Sequence, residues 1–287
     1  MKNLKLSLVA LSALTTLTLP AIAIAGPAQD KGYKIASEID AKPVVERSMS
    51  ENKFLIYNAQ DKLLFTKKFR TANFVSDYKD SKKRLSKGIS YFYSPADDKG
   101  NSALTLEQPK GQEDDQWLYL KGLRKPKRVL GSDKSSSFMG SDFSNGDLAR
   151  PDLDDSTYTW LGKDTVNFKG KKLKVEKMEV KFKDPQMSKD YGTSKTVGWI
   201  HTASGLMFKT EVYNLEGQLY KTMKLLSFKA VKNRDGKKVF TVTGLEMKNA
   251  LKGTKTVMKV GKMKVEKEAT GVKEEMFSLN YLTRRWW

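Results

Sequence analysis

The chain has no cysteine and a single histidine, His201, among 287 residues. Those absences remove cysteine nucleophiles, disulfides and the His/Cys clusters that hold zinc or iron. Neither a G-x-S-x-G nucleophile elbow nor a G-x-x-x-x-G-K-[ST] phosphate loop occurs. An S-x-x-K spacing is present at Ser50/Lys53 and Ser76/Lys79 without either companion motif, and a chain so rich in Ser and Lys produces it by chance. Asp152, Asp154 and Asp155 lack the glycine spacing and closing Glu of a calcium loop, so they read as an exposed acidic turn. His201, beside a turn in WIHTASGLMF, reads as an ordinary strand-end residue. No catalytic residue, cofactor or metal is expected, and the chain reads as a non-enzyme.

What is present begins with an export signal. Lys2 and Lys5 precede an apolar run from Leu6 to Leu19, then Pro20 and the small-residue pattern Ala23-Ile24-Ala25. Residues 1–25 are read as a cleaved signal peptide and 26–287 as one domain, since no interior linker or internal repeat divides them. A secreted chain without disulfides must fold on its hydrophobic core alone, and 262 residues are enough to bury one. Removal of the signal leaves 51 basic against 33 acidic side chains, a net charge of +18. Export argues against nucleic acid as the partner. The excess is concentrated in residues 161–287, which hold 28 basic and 13 acidic side chains, often at alternate strand positions as in KKLKVEKMEVKFK. That pattern reads as a solvated sheet face with Lys guarding it against edge-to-edge pairing, or as attraction toward anionic head groups or an acidic protein surface.

Hydrophobic alternation predicts a mainly β chain of ten or eleven antiparallel strands with few helices. Phe54–Tyr57 and Leu63–Phe69 flank a turn at Asn58–Asp61, and Leu206–Tyr213 with Leu219–Phe228 form a second hairpin. Further strands are read at 88–93, 103–107, 116–120, 128–130, 172–183, 239–247 and 255–266, with phase slips near Glu176/Lys177 and Gly261 that read as bulges. Helices are expected at Asp30–Ala41 and, shorter, near Asp147–Leu153. Two helical pieces cannot cover both faces of so wide a sheet. The sheet is therefore expected to curl and, with a helix across its mouth, to enclose an apolar hollow.

The most informative stretch is QWLYLKGLRKPKRVLGSDKSSSFMGSDFSNGDL. Trp117 and Tyr119 alternate with Leu118 and Leu120, so both faces of that strand are apolar or aromatic. A basic corner follows with Arg124, Lys125, Lys127 and Arg128 around Pro126. Then comes a Ser/Gly loop carrying Phe138, Met139 and Phe143, which are expensive to expose and must pack into the hollow. This block resembles the most distinctive motif of the outer membrane lipoprotein-sorting proteins, the LolA-like family. SPADDKGNSALTL upstream and HTASGLMFKTEVYNLEGQLYKTM downstream are similar to its flanking strands. Lys121-Gly122 stands where members often carry Pro and a small residue.

The resemblance implies a LolA/LolB-like half-open barrel with a lid helix and an apolar cavity for acyl chains. It implies a monomeric periplasmic carrier of lipid or acylated lipoprotein, working with an inner-membrane transporter of the resistance-nodulation-division type and an outer-membrane acceptor. Cavity candidates are Trp117, Tyr119, Phe138, Met139, Phe143, Trp160 and Trp199; head-group or docking candidates are Arg124, Lys125, Lys127 and Arg128. Two rivals are an exported hydrolase of envelope lipid or glycan with a spatial carboxylate pair, and a structural adaptor with a solid core.

Overall fold

The computed structural model describes residues 26–287, so the export-signal segment lies outside the described residues. Thirteen strands form one antiparallel sheet: β1 (Arg47–Tyr57), β2 (Leu63–Ser76), β3 (Leu85–Ser94), β4 (Ser102–Leu106), β5 (Asp115–Tyr119), β6 (Pro126–Arg128), β7 (Ser156–Phe168), β8 (Lys171–Phe182), β9 (Lys195–His201), β10 (Leu206–Tyr213), β11 (Leu219–Lys232), β12 (Lys238–Asn249) and β13 (Lys255–Val265). Their spatial order is β6-β5-β4-β3-β2-β1-β13-β12-β11-β10-β9-β8-β7. Two meanders thus meet at the β1–β13 pair, and the two edges are β6 and β7. The link between those edge strands, residues 129–155, must cross from one side of the sheet to the other. This curved, open sheet with few helices is a half-open barrel.

Register defines its faces, because residues directly opposite each other in an antiparallel pair point the same way. One row runs from Trp160 through Met178, Gly198, Thr210, Met223, Met247, Thr256 and Ile56 to Phe65, from β7 to β2. The crossing link and helix α1 (Pro27–Asp40) both pack on this inner face. Pro27 opens α1 without loss of a backbone donor, and Ile35, Ala36 and Ile39 face Met178, Ile200 and Trp160. Gly32 permits the approach: a Cβ there would lie 2.2 Å from the Tyr158 carbonyl oxygen. The outer face of β2–β5 is covered by residues 266–287, whose Val272, Met276, Phe277 and Leu282 pack on Phe74, Ile89 and Leu104. No helix among the described residues is long and apolar enough to cross a membrane.

The expected strands are all present, and two more, β7 and β9, bring the number above the expected ten or eleven. β7 was hidden by Leu161-Gly162-Lys163-Asp164, which interrupts its alternation; an extra residue there forms a bulge against Lys177 and Met178. The phase slip read into β8 lies on this partner strand instead. β8 itself runs regularly and changes its apolar face, with Val175 packed beside Trp199 on one side and Met178 under α1 on the other. The slip near Gly261 is a bulge on β13, between the pairs Ser50–Met263 and Asn52–Val260. Residues 147–153 form no regular helix; 3-10 turns span Gly146–Leu148 and Leu153–Asp155. A helix not expected, α2 (Pro185–Tyr191), is capped by Asp184 and closed by Gly192 in the left-handed conformation.

Lysines are not confined to the sheet edges. On the outer face Lys68, Lys53 and Lys259 stand directly opposite one another on β2, β1 and β13, at the middle of the sheet. All three are exposed, so protection of an edge does not account for them.

Candidate functional site

The crossing link places Phe138, Met139 and Phe143 in the concavity at 2%, 8% and 5% exposure. Phe143 stacks on Phe54 at 5.5 Å, Phe138 meets Phe54 and Phe92 edge-on or tilted at 6.3 and 6.0 Å, and Phe69 stacks on Phe92 at 4.7 Å. Polar bonds fasten this plug. Phe138 N–H donates to the Phe143 carbonyl at 2.7 Å, Lys67 Nζ to the Met139 carbonyl at 2.8 Å, and the Thr256 hydroxyl to the Asp142 carboxylate at 2.7 Å. Lys221 Nζ lies 2.8 Å from Asp147. Burial alone would depress the Lys221 ammonium, but the Asp147 carboxylate and Tyr220 hold its pKa above the ordinary value.

The plug does not fill the concavity. A cleft of about 480 Å³ remains, bounded by β1–β4, β12, β13 and, from the crossing link, Phe138, Leu148 and Arg150. That volume is within the usual range for small-molecule sites. A second cavity, also about 480 Å³, lies against Ile39 and Lys42 at the C-terminal end of α1 and shares Arg150, Thr241 and Val242 with the first. Arg150 binds the Asp40 carboxylate at the end of α1, and buried Arg84 donates to Asp40 and, at 2.9 Å, to the Lys42 carbonyl. At its other end α1 is held by Tyr33 Oη donating to Asp154 at 2.8 Å and by Lys31 Nζ 3.2 Å from the Trp160 ring centroid.

The lining of the first cleft is layered along the strands. Near the plug the inner rows are mainly apolar, with Phe54 opposite Met258 and Phe69 opposite Phe92; Lys67 and Asn52 are the polar members of these rows. The next row is Ser50, Thr71, Ser90 and Ala103; after it come Ser48, Asn73, Gly88 and Thr105. Thr71 and Ser90 hydroxyls are 3.2 Å apart, and Asn73 Nδ2 donates to Ser48 Oγ at 3.2 Å. The far end carries Glu107 and Asp114. Glu107 accepts from Ser86 N–H at 2.8 Å, and Asp114 accepts from Gln108 N–H at 3.0 Å. Among the described residues neither carboxylate has a cation within salt-bridge distance. Burial pushes the Asp114 carboxyl up to about 6, against the Gln108 hydrogen bond, with the Glu107 charge adding to the rise.

These positions correct two expectations. The hollow is oily only in part, because the polar alternates of β1–β4 face it. Trp117 and Tyr119, expected in the cavity, lie on the outer face against the C-terminal segment, while Leu118 and Leu120 join Phe138 inside. Trp199 is also on the outer face, with Lys209 and Lys177 at 4.3 and 4.8 Å from its ring and Asp164 accepting from its indole N–H at 2.7 Å. Trp160 is on the inner face beneath α1. In the basic corner, Lys127 pairs with Asp133 at 2.8 Å and Arg128 with Asp115 at 2.6 Å, whereas Arg124 and Lys125 are exposed without a carboxylate among the described residues. The hydroxyl rows stand in the sequence as alternate Ser, Thr and Asn in β1–β3. The strands read from the sequence stopped short of Ser48, Ser50, Thr71 and Asn73, and nothing marked residues 266–287 as a cover for the other face.

A family model described as an uncharacterized protein matches residues 84–284. Among solved structures, the chain is similar to a DUF1329 family protein from Desulfovibrio piger, with 26% identity, a TM-score of 0.75, and coverage of 89% of this chain and 99% of that one. It is similar to one from Vibrio parahaemolyticus described as an outer membrane lipoprotein-sorting protein domain, at 27% identity and TM-score 0.74, covering 89% and 100%. A LolA superfamily protein from Nitrosomonas europaea shares the fold at 17% identity and TM-score 0.60, covering 87% and 98%. No curated protein matches the sequence.

Proposed function

We propose, from the premise that this chain belongs to the LolA-like family of outer membrane lipoprotein-sorting proteins, that it is a periplasmic carrier holding acyl chains of a lipid or lipoprotein in the inner-face cleft. The observation that carries this reading is the roughly 480 Å³ cleft left beside a plug of packed phenylalanines. Each methylene exposed to water costs about 0.8 kcal/mol, so a sixteen-carbon chain brings on the order of 12 kcal/mol of reason to enter. Room for it must come from a part that can move. The plug buries three large side chains and is tied to β2, β11 and β13, whereas α1 buries only Gly32, Ile35 and Ala36.

Displacing α1 therefore costs a few kcal/mol, less than the chain gains, and displacing the plug costs more. Release of Asp40 from Arg150 joins the two neighbouring cavities into one. The lost self-packing of α1 then offsets part of the cargo's binding energy, which keeps affinity moderate and permits handover without nucleotide. Under this reading Phe138, Met139 and Phe143 form the wall met by the chain, and Arg124 and Lys125 serve docking to an acidic or phosphate-bearing partner. Donor and acceptor are an inner-membrane transporter, of the resistance-nodulation-division type in such systems, and an outer-membrane site; the carrier acts as a monomer.

Native mass spectrometry of protein purified from a periplasmic extract, with titration of a fluorescent fatty acid, tests the proposal. Copurifying lipid or saturable probe binding is expected. A protein that carries neither sinks it.

A further inference from the structure

The layered lining distinguishes the ends of the cleft, and the distinction is informative about the cargo. A site for a bare acyl chain needs no polar floor. Here hydroxyl and amide rows follow the phenylalanines in strand order, and the floor ends at two carboxylates without a cationic partner among the described residues. In a chain with 53 basic side chains that absence is conspicuous. The neighbouring guanidinium, Arg150, is already committed to Asp40, as is Arg84. The closed site thus offers acceptors, hydroxyls and two negative charges, with Arg150 held by Asp40 and Lys87 by Glu274; when Asp40 is released, Arg150 is left beside the carboxylates to face a phosphate. A phosphate or fatty-acid carboxylate as the only charge can face Arg150 but leaves Glu107 and Asp114 without a cationic partner, whereas an ammonium supplies one.

We infer that this polar end is a head-group site for an ammonium-bearing, zwitterionic phospholipid, whose amine is received by Glu107 and Asp114 while its acyl chain points to Phe54, Phe69 and Phe138. The hydroxyls of Ser50, Thr71 and Ser90 lie between, at the level of the lipid's glycerol and ester oxygens. This inference rests on the carrier reading above and names its cargo class. Two charge-assisted hydrogen bonds to the amine discriminate by about tenfold or more against a head group that lacks it.

The test is displacement of a bound fluorescent fatty acid by palmitoyl lysophosphatidylethanolamine and by palmitoyl lysophosphatidylglycerol, which share a chain and differ in the head group. The ethanolamine lipid is expected to displace the probe at about tenfold lower concentration. In Glu107→Gln and Asp114→Asn, each of which keeps its size and its backbone acceptor, the ratio is expected to fall toward one. Equal potency in the wild-type protein, or preference for the glycerol lipid, overturns the head-group assignment while leaving acyl binding intact. Failure of the probe itself to bind overturns both proposals. Release of free fatty acid from either lipid overturns the inference in favour of hydrolysis by the carboxylate pair.

Discussion

At the scale of single residues, Asp114 is a carboxyl whose environment departs from what its sequence context announces. Its carboxyl is pushed up to about 6 by burial, from 3.8 in an unperturbed chain. The folded state therefore binds more protons than the unfolded one between those values, and stability falls as pH rises from about 4 to about 6. This is the reverse of a salt-bridged carboxylate, and at neutral pH the ionised group is a net cost that the fold retains. Asp114→Asn is expected to raise Tm near neutrality, and the gain is expected to vanish at pH 4 and below, where both states of the wild type are protonated. Melting curves across that range check the sign; a Tm that falls near neutrality means the charge is compensated by a partner. Lys221 shows the contrasting case, a buried ammonium kept charged because Asp147 faces it at 2.8 Å.

At the scale of elements, α1 is the part on which entry of cargo turns, and Gly32 is what lets it lie close on β7. In a free helix, Ala in place of Gly stabilises by about 1 kcal/mol. Here the added Cβ would sit 2.2 Å from the Tyr158 carbonyl oxygen, so α1 must leave β7 or shift along it. Gly32→Ala is expected to lower Tm, change tryptophan fluorescence as Lys31 leaves Trp160, and raise affinity for a fatty-acid probe several-fold by removing the closed state's advantage. A rise in Tm with unchanged affinity would show that α1 is no lid. The legibility of elements followed a physical rule. Hairpins with one covered face, such as β10–β11, were plain from period two. β7 was lost to Gly162 and its bulge, and the aromatic pair Trp117/Tyr119 was assigned to the wrong face, because alternation tells which residues share a side but not which side faces the hollow. The plug was readable for a different reason: Phe138, Met139 and Phe143 on a Ser/Gly loop have no stable place except inside. The polar floor of the cleft was not, since Ser, Thr and Asn at alternate positions look the same whether they face bulk water or a cavity.

At the scale of the whole molecule, the lysine row across β2, β1 and β13 shows that the charge excess reaches the fold's centre as well as its rims. Like charges directly opposite each other in a sheet oppose pairing, by roughly 0.2–1 kcal/mol per pair. The sheet tolerates the row because its opposite face is anchored there by Phe54, Phe69 and Met258. Repulsion between exposed charges is screened over about 10 Å at 0.1 M salt, so its cost depends on ionic strength. Lys53→Glu, which turns two repulsive contacts with Lys68 and Lys259 into attractive ones, is expected to raise the urea midpoint at low salt. The difference from wild type should shrink as sodium chloride is added, chiefly because the wild-type midpoint itself climbs. Urea titrations of both proteins at two salt concentrations separate the terms: a variant that is less stable at low salt would mean that Lys53 is held by an interaction other than its neighbours' charge, and a salt-independent difference would assign the effect to side-chain packing.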